Sequence, residues 1–289
     1  MKIDACAKIN WSLDITGVRE DGYHLMDMLM QPVSLADEIT ILPAEKISLT
    51  VSGRPLIRAD EKNLVWRAAD LLRQKFRPDA GCSLHVHKRI PVGAGMGGGS
   101  ADAAAVLYGL NRLWELGLSQ EQLEELGLSL GADVPFCLRG GLTRVTGIGE
   151  QIREIPCSRF YWLVVIQPCH GLSTGEVFTA YHAAPASPVS DIDTVSDILE
   201  NGRTDALPGS LFNVLQPVSC SMQPEIGNAI DALKENHALD AVMTGSGSAV
   251  FGVFINAAAA RKALGVLSQR WNRIWMCHTD TVSVRIHEP

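Results

Sequence analysis

The 289-residue chain has no C-x-x-C pair, no lysine following its glycine-rich segment, no apolar run of membrane-spanning length and no excess of positive charge. Each absence excludes a class of function. Lysine and arginine total 25 against 32 acidic residues, a net charge of -7. A general nucleic-acid binder needs a basic surface to neutralise phosphates, so that class is excluded, although one local anion site is not. Seven scattered cysteines, an odd number, argue against a disulfide framework or a zinc site. Free thiols in a reducing cytoplasm are the simplest account. Met1 to Leu13 carries Lys2, Asp4 and Lys8, which a signal peptide's apolar segment does not tolerate. The longest apolar stretch, Phe160 to Ile166, has the length of a buried strand. No repeat of 20–50 residues is visible.

What is present is a chain long enough for two domains, burying about three-quarters of its unfolded surface without a staple. We divide it near Pro156, into residues 1–155 and 156–289. In the first part Ile3–Ile15, Glu38–Leu42 and Ile47–Ser52 read as strands, with a polar turn over Val18–Gly22. Leu64, Ala68, Leu72 and Phe76 recur at helical spacing, with Asn63 placed as N-cap. Cys82–Ile90 reads as a strand with Leu84, Val86 and Ile90 on one face and His85, His87 and Arg89 on the other. An alanine-rich helix is predicted from about Ser100 to Trp114. A second opens at Ser119 in capping-box form and runs to about Leu130. In the second part Phe160–Ile166, Ala249–Ile255 and Thr281–Ile286 read as strands. Asp193–Glu200, Pro224–Asn236 and Ala257–Arg270 read as helices, Pro168–Thr174 as a loop and Ala183–Pro188 as a surface connection. Strands and helices interleave without a strict βαβ rhythm, which predicts an α+β fold.

The 26 glycines are unevenly spread: five fall among the seven residues Gly93 to Gly99. A strand feeds into them and a helix follows, so bare backbone N–H groups and a helix N-terminus converge on one spot. That is a phosphate site. Ordering so many glycines for a plain turn is entropically costly. A Walker loop is excluded by the missing lysine. A dinucleotide fingerprint is literally present at Gly93, Gly95 and Gly98, but its context fails. The preceding strand alternates, and Glu115, at the expected spacing, ends a helix instead of a second strand.

The segment Pro91-x-x-x-Gly95-Met96-Gly97-Gly98-Gly99-Ser100-Ala101 resembles the phosphate loop of the GHMP kinases, the family named after galactokinase, homoserine kinase, mevalonate kinase and phosphomevalonate kinase. Three further segments match the branch that acts on CDP-methylerythritol in the non-mevalonate route to isoprenoids. They are Ala7-Lys8-Ile9-Asn10, Asp21-Gly22-Tyr23-His24 and Leu130-Gly131-Ala132-Asp133-Val134-Pro135. Thr244-Gly245-Ser246-Gly247-Ser248 matches the family's second glycine motif. The matches run from residue 7 to about 248, so the resemblance covers most of the chain.

The resemblance implies an N-terminal domain like domain 2 of ribosomal protein S5 and a ferredoxin-like C-terminal α/β sandwich. It implies ATP with Mg2+, no nucleic-acid or membrane partner, and a monomer or homodimer. ATP would contact Pro91, Gly93, Gly95, Met96, Gly97, Gly98, Gly99, Ser100 and Ala101, with Asn63 on the adenine side. On local sequence alone Asp133 reads as a turn residue and Lys8 as an edge or surface lysine. With the resemblance, Asp133 becomes the base that accepts the hydroxyl proton and Lys8 its charged partner. A neighbouring lysine favours the ionised carboxylate and stabilises developing negative charge. Tyr23 and His24 match the cytidine-recognition pair, though a turn with a half-buried aromatic is the plain alternative. Asn10, Thr174 and Phe178 match substrate-side positions. Ser100 is a candidate magnesium contact and Asp102 a weaker one, because an acid in the first helical turn ordinarily answers the dipole. His85 and His87 lack a third ligand nearby. Asn213-Val214-Leu215-Gln216 departs from the family's common Asn-Asp-Leu-Glu, which puts a catalytic role for that segment in doubt. Two alternatives stay open: a homoserine- or mevalonate-type kinase, and a non-catalytic nucleotide sensor on the same scaffold.

Overall fold

The computed structural model describes residues 1–20, 22–53, 57–157, 159–182 and 191–287. Asp21 and the expected connection Ala183–Pro188 lie outside the described residues. Two sheets organise the chain. The first is built on two long antiparallel strands, β1 (Lys2–Val18) and β2 (His24–Ala44). It continues through β3 (Ser48–Ser52), β4 (Gly81–His87), β5 (Leu142–Gly147) and β6 (Gln151–Ile155). The second, antiparallel throughout, contains β7 (Trp162–Ile166), β9 (Asp240–Met243), β10 (Val250–Phe254) and β11 (Ile274–His278) in the order β11-β7-β10-β9. Two strands from the later chain, β8 (Phe212–Asn213) and β12 (Val284–His287), pair with β1 in the first sheet, whose main path is β12-β1-β2-β4-β3. The division at 155/156 thus falls between β6 and β7, yet the last strand crosses back.

The helices are α1 (Leu64–Phe76), α2 (Gly98–Leu113), α3 (Gln120–Leu128), α4 (Val134–Arg139) and α5 (Thr174–His182). They continue as α6 (Ile192–Glu200), α7 (Gln216–Met222), α8 (Glu225–Glu235) and α9 (Ala257–Leu267). Among the described residues no helix is long and apolar enough to cross a membrane. Asn63 caps α1 by accepting from the Val65 N–H, and Ser119 with Gln122 forms the complete capping box of α3, both as the sequence predicts. His85 and His87 face β3 and bond to Thr50 and Ser52, consistent with polar-face residues.

Register irregularities in β1 decide which side chains reach the site. The pairing with β2 shifts between Cys6 and Lys8, between Asn10 and Ser12, and again between Ile15 and Gly17. Each shift turns the following side chains to the opposite face. Ile3 and Ala5 therefore pack with α2 in one core, and Ala7, Ile9 and Trp11 pack with β7 and β10 in the other. Between the first two shifts, Lys8 and Asn10 are delivered to the side of the glycine loop.

Several expectations need correction. Lys8 is neither on an edge nor at the surface: it pairs with β2 on one side, its N–H bonds to the Met96 carbonyl on the other, and the residue is 4% exposed. The strand expected at Glu38–Leu42 extends back to His24, because Met28 to Val33 is buried and lacks the one-sided alternation of a half-exposed strand. Asp133 does lie in a turn, as expected, and that turn leads into α4, where the residue takes the cap position with Pro135 in the first helical turn. Phe160 is exposed and precedes β7. Asp102 does not serve the helix dipole at the surface: it is 4% exposed and bonded to Lys88. The expected strand at Thr281–Ile286 is observed as Val284–His287, the preceding residues forming a turn around Asp280.

Candidate active site

The glycine loop forms the wall between two cavities. Gly93, Gly95 and Gly97 all adopt left-handed backbone conformations, φ 64°, 73° and 67°. At Gly95 a β-carbon would lie 2.1 Å from the Thr244 carbonyl oxygen, so the loop meets the second glycine motif backbone to backbone. At Gly97 it would lie 3.0 Å from Lys8 Cγ and 3.6 Å from Asp133 Oδ2. Gly97 is also the cap of α2 and offers no side chain to the first helical N–H groups. Those groups stay open at Gly98, Gly99 and Ser100, where the helix dipole adds partial positive charge.

The first cavity, about 420 Å³, is lined by the loop from Pro91 to Ser100, by Asn63 and Leu64 at the start of α1, and by Lys88 and Asp102. Asn63 therefore caps a helix and borders this cavity at once. Ala101, buried in α2, lies behind it. The second cavity, about 450 Å³, is lined by Lys8, Asp133, Tyr23, His24, Thr174, Phe178, Gly245 and Ser246, and again by Gly95 and Gly97. Its lining comes from both halves of the chain.

Lys8 Nζ lies 3.8 Å from Asp133 Oδ2 and donates to Asn10 Oδ1 at 2.7 Å. The lysine is buried, whereas the Asp133 side chain remains 34% exposed to the second cavity. Asn10 itself does not line that cavity. Its Oδ1 also accepts from the Gly245 N–H at 3.0 Å, and its amide points at Met28. It ties Lys8 to the second glycine motif. Thr174 Oγ1 and Ser246 Oγ bond across the cleft at 2.9 Å. His24 packs against Phe178 with ring centroids 4.4 Å apart, and its Nε2 meets His182 Nε2 at 2.5 Å. Burial, then His182, holds the His24 imidazole below its usual range. Tyr23 is 61% exposed at the mouth.

Three sets of contacts were not anticipated. Asn213, in the segment that departs from the common pattern, donates its amide to the carbonyls of Met243 and Gly245, both at 2.8 Å. Gln216 accepts from the Met243 N–H at 3.0 Å. These contacts are made by Asn213 and by a neutral amide at 216, so the missing acids leave the scaffold role intact. His182 carries no sequence signal: it ends α5, a helix the sequence reading did not assign. Lys88 forms ion pairs with both Asp37 and Asp102 under the first cavity. Asp37 carries no clear sequence signal, since Ser34, Glu38 and Thr40 make its surroundings mixed.

A cavity with open helix N–H groups suits a polyphosphate, and an adjoining cavity with a lysine–carboxylate pair at the common wall suits a hydroxyl acceptor. Comparison with known proteins agrees. Residues 63–141 match the GHMP kinases N terminal domain and residues 183–273 the GHMP kinases C terminal domain. The chain is 41% identical over 264 residues to the 4-diphosphocytidyl-2-C-methyl-D-erythritol kinase of Caldicellulosiruptor bescii, covering 91% of this chain and 92% of that one. It is 42% identical over 251 residues to the enzyme of the same name from Bacillus velezensis, covering 86% of each chain. A crystal structure of a 4-(cytidine 5'-diphospho)-2C-methyl-D-erythritol kinase superposes with a TM-score of 0.83 at 32% identity, over 96% of this chain and 99% of that one.

Proposed function

The chain belongs to the 4-diphosphocytidyl-2-C-methyl-D-erythritol kinases, within the GHMP kinases, and from that premise we infer what its two cavities do. The protein transfers the γ-phosphoryl group of ATP to the C2 hydroxyl of 4-diphosphocytidyl-2-C-methyl-D-erythritol, releasing ADP, in isoprenoid precursor biosynthesis. The observation that carries the assignment of residues is the wall common to both cavities: Gly95 and Gly97 line each, with Lys8 and Asp133 at its acceptor edge. We assign ATP to the first cavity, its phosphates against Gly97 to Ser100 and its adenine toward Asn63. The acceptor occupies the second, its cytidine between Tyr23, His24 and Phe178, with Thr174 on the substrate side.

In this arrangement Asp133 accepts the C2 hydroxyl proton while the alkoxide oxygen bonds to the γ-phosphorus and the bond to ADP breaks. Lys8, fixed by Asn10, stabilises the developing negative charge at the oxygen and at the transferring phosphoryl group. Because phosphoryl transfer demands chiefly positioning and charge stabilisation, a rigid wall between the reactants is the main contribution of the fold. Magnesium, when bound, neutralises phosphate charge. Among the described residues there is no group of three or more His, Cys, Asp or Glu able to hold a metal. The Ser100 hydroxyl, which lines the first cavity, would be the protein's contact to an ion carried by the phosphates. Asp102 lines the same cavity, with one carboxyl oxygen bonded to Lys88. Seven free cysteines fit a reducing cytoplasm, where the enzyme acts as a monomer or homodimer.

A coupled ADP-release assay with CDP-methylerythritol, mevalonate and homoserine in parallel tests the reading. Release is expected with the first alone. Release with either of the other two but not the first overturns the substrate, and no release with any overturns the enzyme.

A further inference from the structure

Under the floor of the nucleotide cavity lies a charge cluster that the transfer reaction does not use. The Lys88 ammonium donates to Asp37 Oδ2 and, at 2.6 Å, to Asp102 Oδ2. The three side chains are 5%, 0% and 6% exposed. One cation thus faces two carboxyls. With both ionised, the cluster carries an unbalanced negative charge in the interior, where an uncompensated charge is costly. A single bound proton removes it.

The hydrogen bonds indicate which carboxyl takes that proton. Asp37 is saturated as an acceptor: Oδ2 receives Lys88, and Oδ1 receives the N–H groups of Arg89 at 2.5 Å and Ile90 at 2.8 Å. Asp102 accepts from Lys88 alone, and its Oδ1 is buried with no partner. A carboxylate wants donors at both oxygens, whereas a carboxylic acid needs fewer. Burial pushes the Asp102 carboxyl up to about 8; the Lys88 charge opposes this, and the charge of Asp37 adds to it. Burial works against the charge on Lys88, but the two carboxyls together hold its ammonium above the usual range. Asp37 on β2 and Lys88 beyond β4 are the charged groups acting on Asp102. The Cys137 thiol of α4 feels Asp102 and is held neutral, chiefly by its own burial.

We propose that Asp102 is a neutral, protonated positioning residue that completes an uncharged cluster holding Lys88 against the underside of the phosphate loop. The contact with the loop is close: a β-carbon at Gly98 would lie 3.4 Å from Lys88 Nζ. An anionic Asp102 at that place opposes the triphosphate above it. Only this last consequence rests on the assignment of ATP to the cavity.

Three measurements test the proposal on the full chain. Isotope-edited infrared spectra of the ligand-free protein at neutral pH should show the carbonyl band of a carboxylic acid, lost in Asp102→Asn. Denaturant titrations at several pH values supply the second. A carboxyl raised in the folded state stabilises fully below its unfolded value, near 4, and that contribution is lost as pH rises through about 8. The folded-to-unfolded ratio of the wild type should therefore fall, relative to Asp102→Asn, by up to about tenfold per pH unit between roughly pH 5 and 7. Third, Asp102→Ala should raise KM for ATP by about tenfold with a smaller effect on kcat, and Asp102→Asn, the isostere of the neutral acid, should restore it. Absence of the acid band, or parallel pH profiles for the wild type and Asp102→Asn, overturns the proposal. If neither variant folds, the wild-type spectrum decides alone. Failure of the wild type to turn over CDP-methylerythritol overturns the kinase reading and leaves the infrared and stability results standing.

Discussion

At the residue scale the reacting groups form a short chain of contacts. Asn10 orients Lys8, Lys8 faces Asp133, and Gly97 presses on both. We expect Asp133→Asn and Lys8→Ala each to lower kcat by about 10²–10⁴-fold, the range for losing a positioned proton acceptor or its charged partner, with little change in ATP affinity. Steady-state kinetics on both variants checks this; near-normal turnover in the two together removes the assignment. Asn10 orients a reacting group without lining the acceptor cavity, so Asn10→Ala should lower kcat while leaving KM for the cytidine substrate almost unchanged. The histidine pair concerns binding instead. A His24 imidazole held below its usual 6.5 keeps its contact with His182 above that value and loses it as pH falls through the lowered value. KM for the cytidine substrate should accordingly rise as the medium is acidified below the ordinary histidine range, and His182→Ala should flatten that limb. A pH profile of kcat/KM with the two proteins side by side distinguishes them.

At the element scale the glycine loop has little freedom to vary. Gly97→Ala places a methyl group against Lys8 and a non-glycine residue at φ 67°, which by itself costs about 1–2 kcal/mol. We expect a measurable drop in thermal stability together with loss of turnover, since relief of the clash displaces Lys8. The helix caps are more forgiving: Ser119→Ala should cost about 1 kcal/mol and leave kinetics untouched, because α3 contacts neither cavity. These elements also show what the sequence made legible. The ends of α1 and α3 follow from Asn63 and from Ser119 with Gln122, local signals that tertiary packing did not overrule. The phosphate loop was legible because glycine is needed both for the turn and for the close approach to Thr244. The shifts of register in β1 were not, since a bulge depends on how β2 pairs with it and leaves no periodic trace over so few residues. Lys8 therefore read as an edge lysine. The short helices α4 and α7 begin with proline inside the first turn, which mimics a loop, and Asp133 was read as a turn residue for that reason. Asp102 was misjudged because its partners come from Asp37 and Lys88, distant in sequence.

At the scale of the whole molecule, the acceptor cavity is closed by residues from both parts of the chain. Trp11 is the largest side chain at their junction: it packs edge-on against Tyr161 at 5.1 Å and Phe251 at 5.8 Å, and donates its indole N–H to Gln31 at 2.9 Å. Trp11→Ala should cost about 3–5 kcal/mol in denaturant titrations and, through the adjoining residues of β1, weaken acceptor binding more than ATP binding. The same strand is completed from the far end of the chain, where Ala5 faces Val284 and Lys2 faces His287. During synthesis at roughly 10 residues per second, on the order of half a minute separates the emergence of the catalytic lysine from that of its strand's last neighbour. A nascent chain stalled before β12 keeps the Lys2–Ala5 edge of β1 open, and an unpaired edge is a template for further pairing. Truncated translation products of this enzyme should thus be marked for chaperone capture by the strand that carries Lys8.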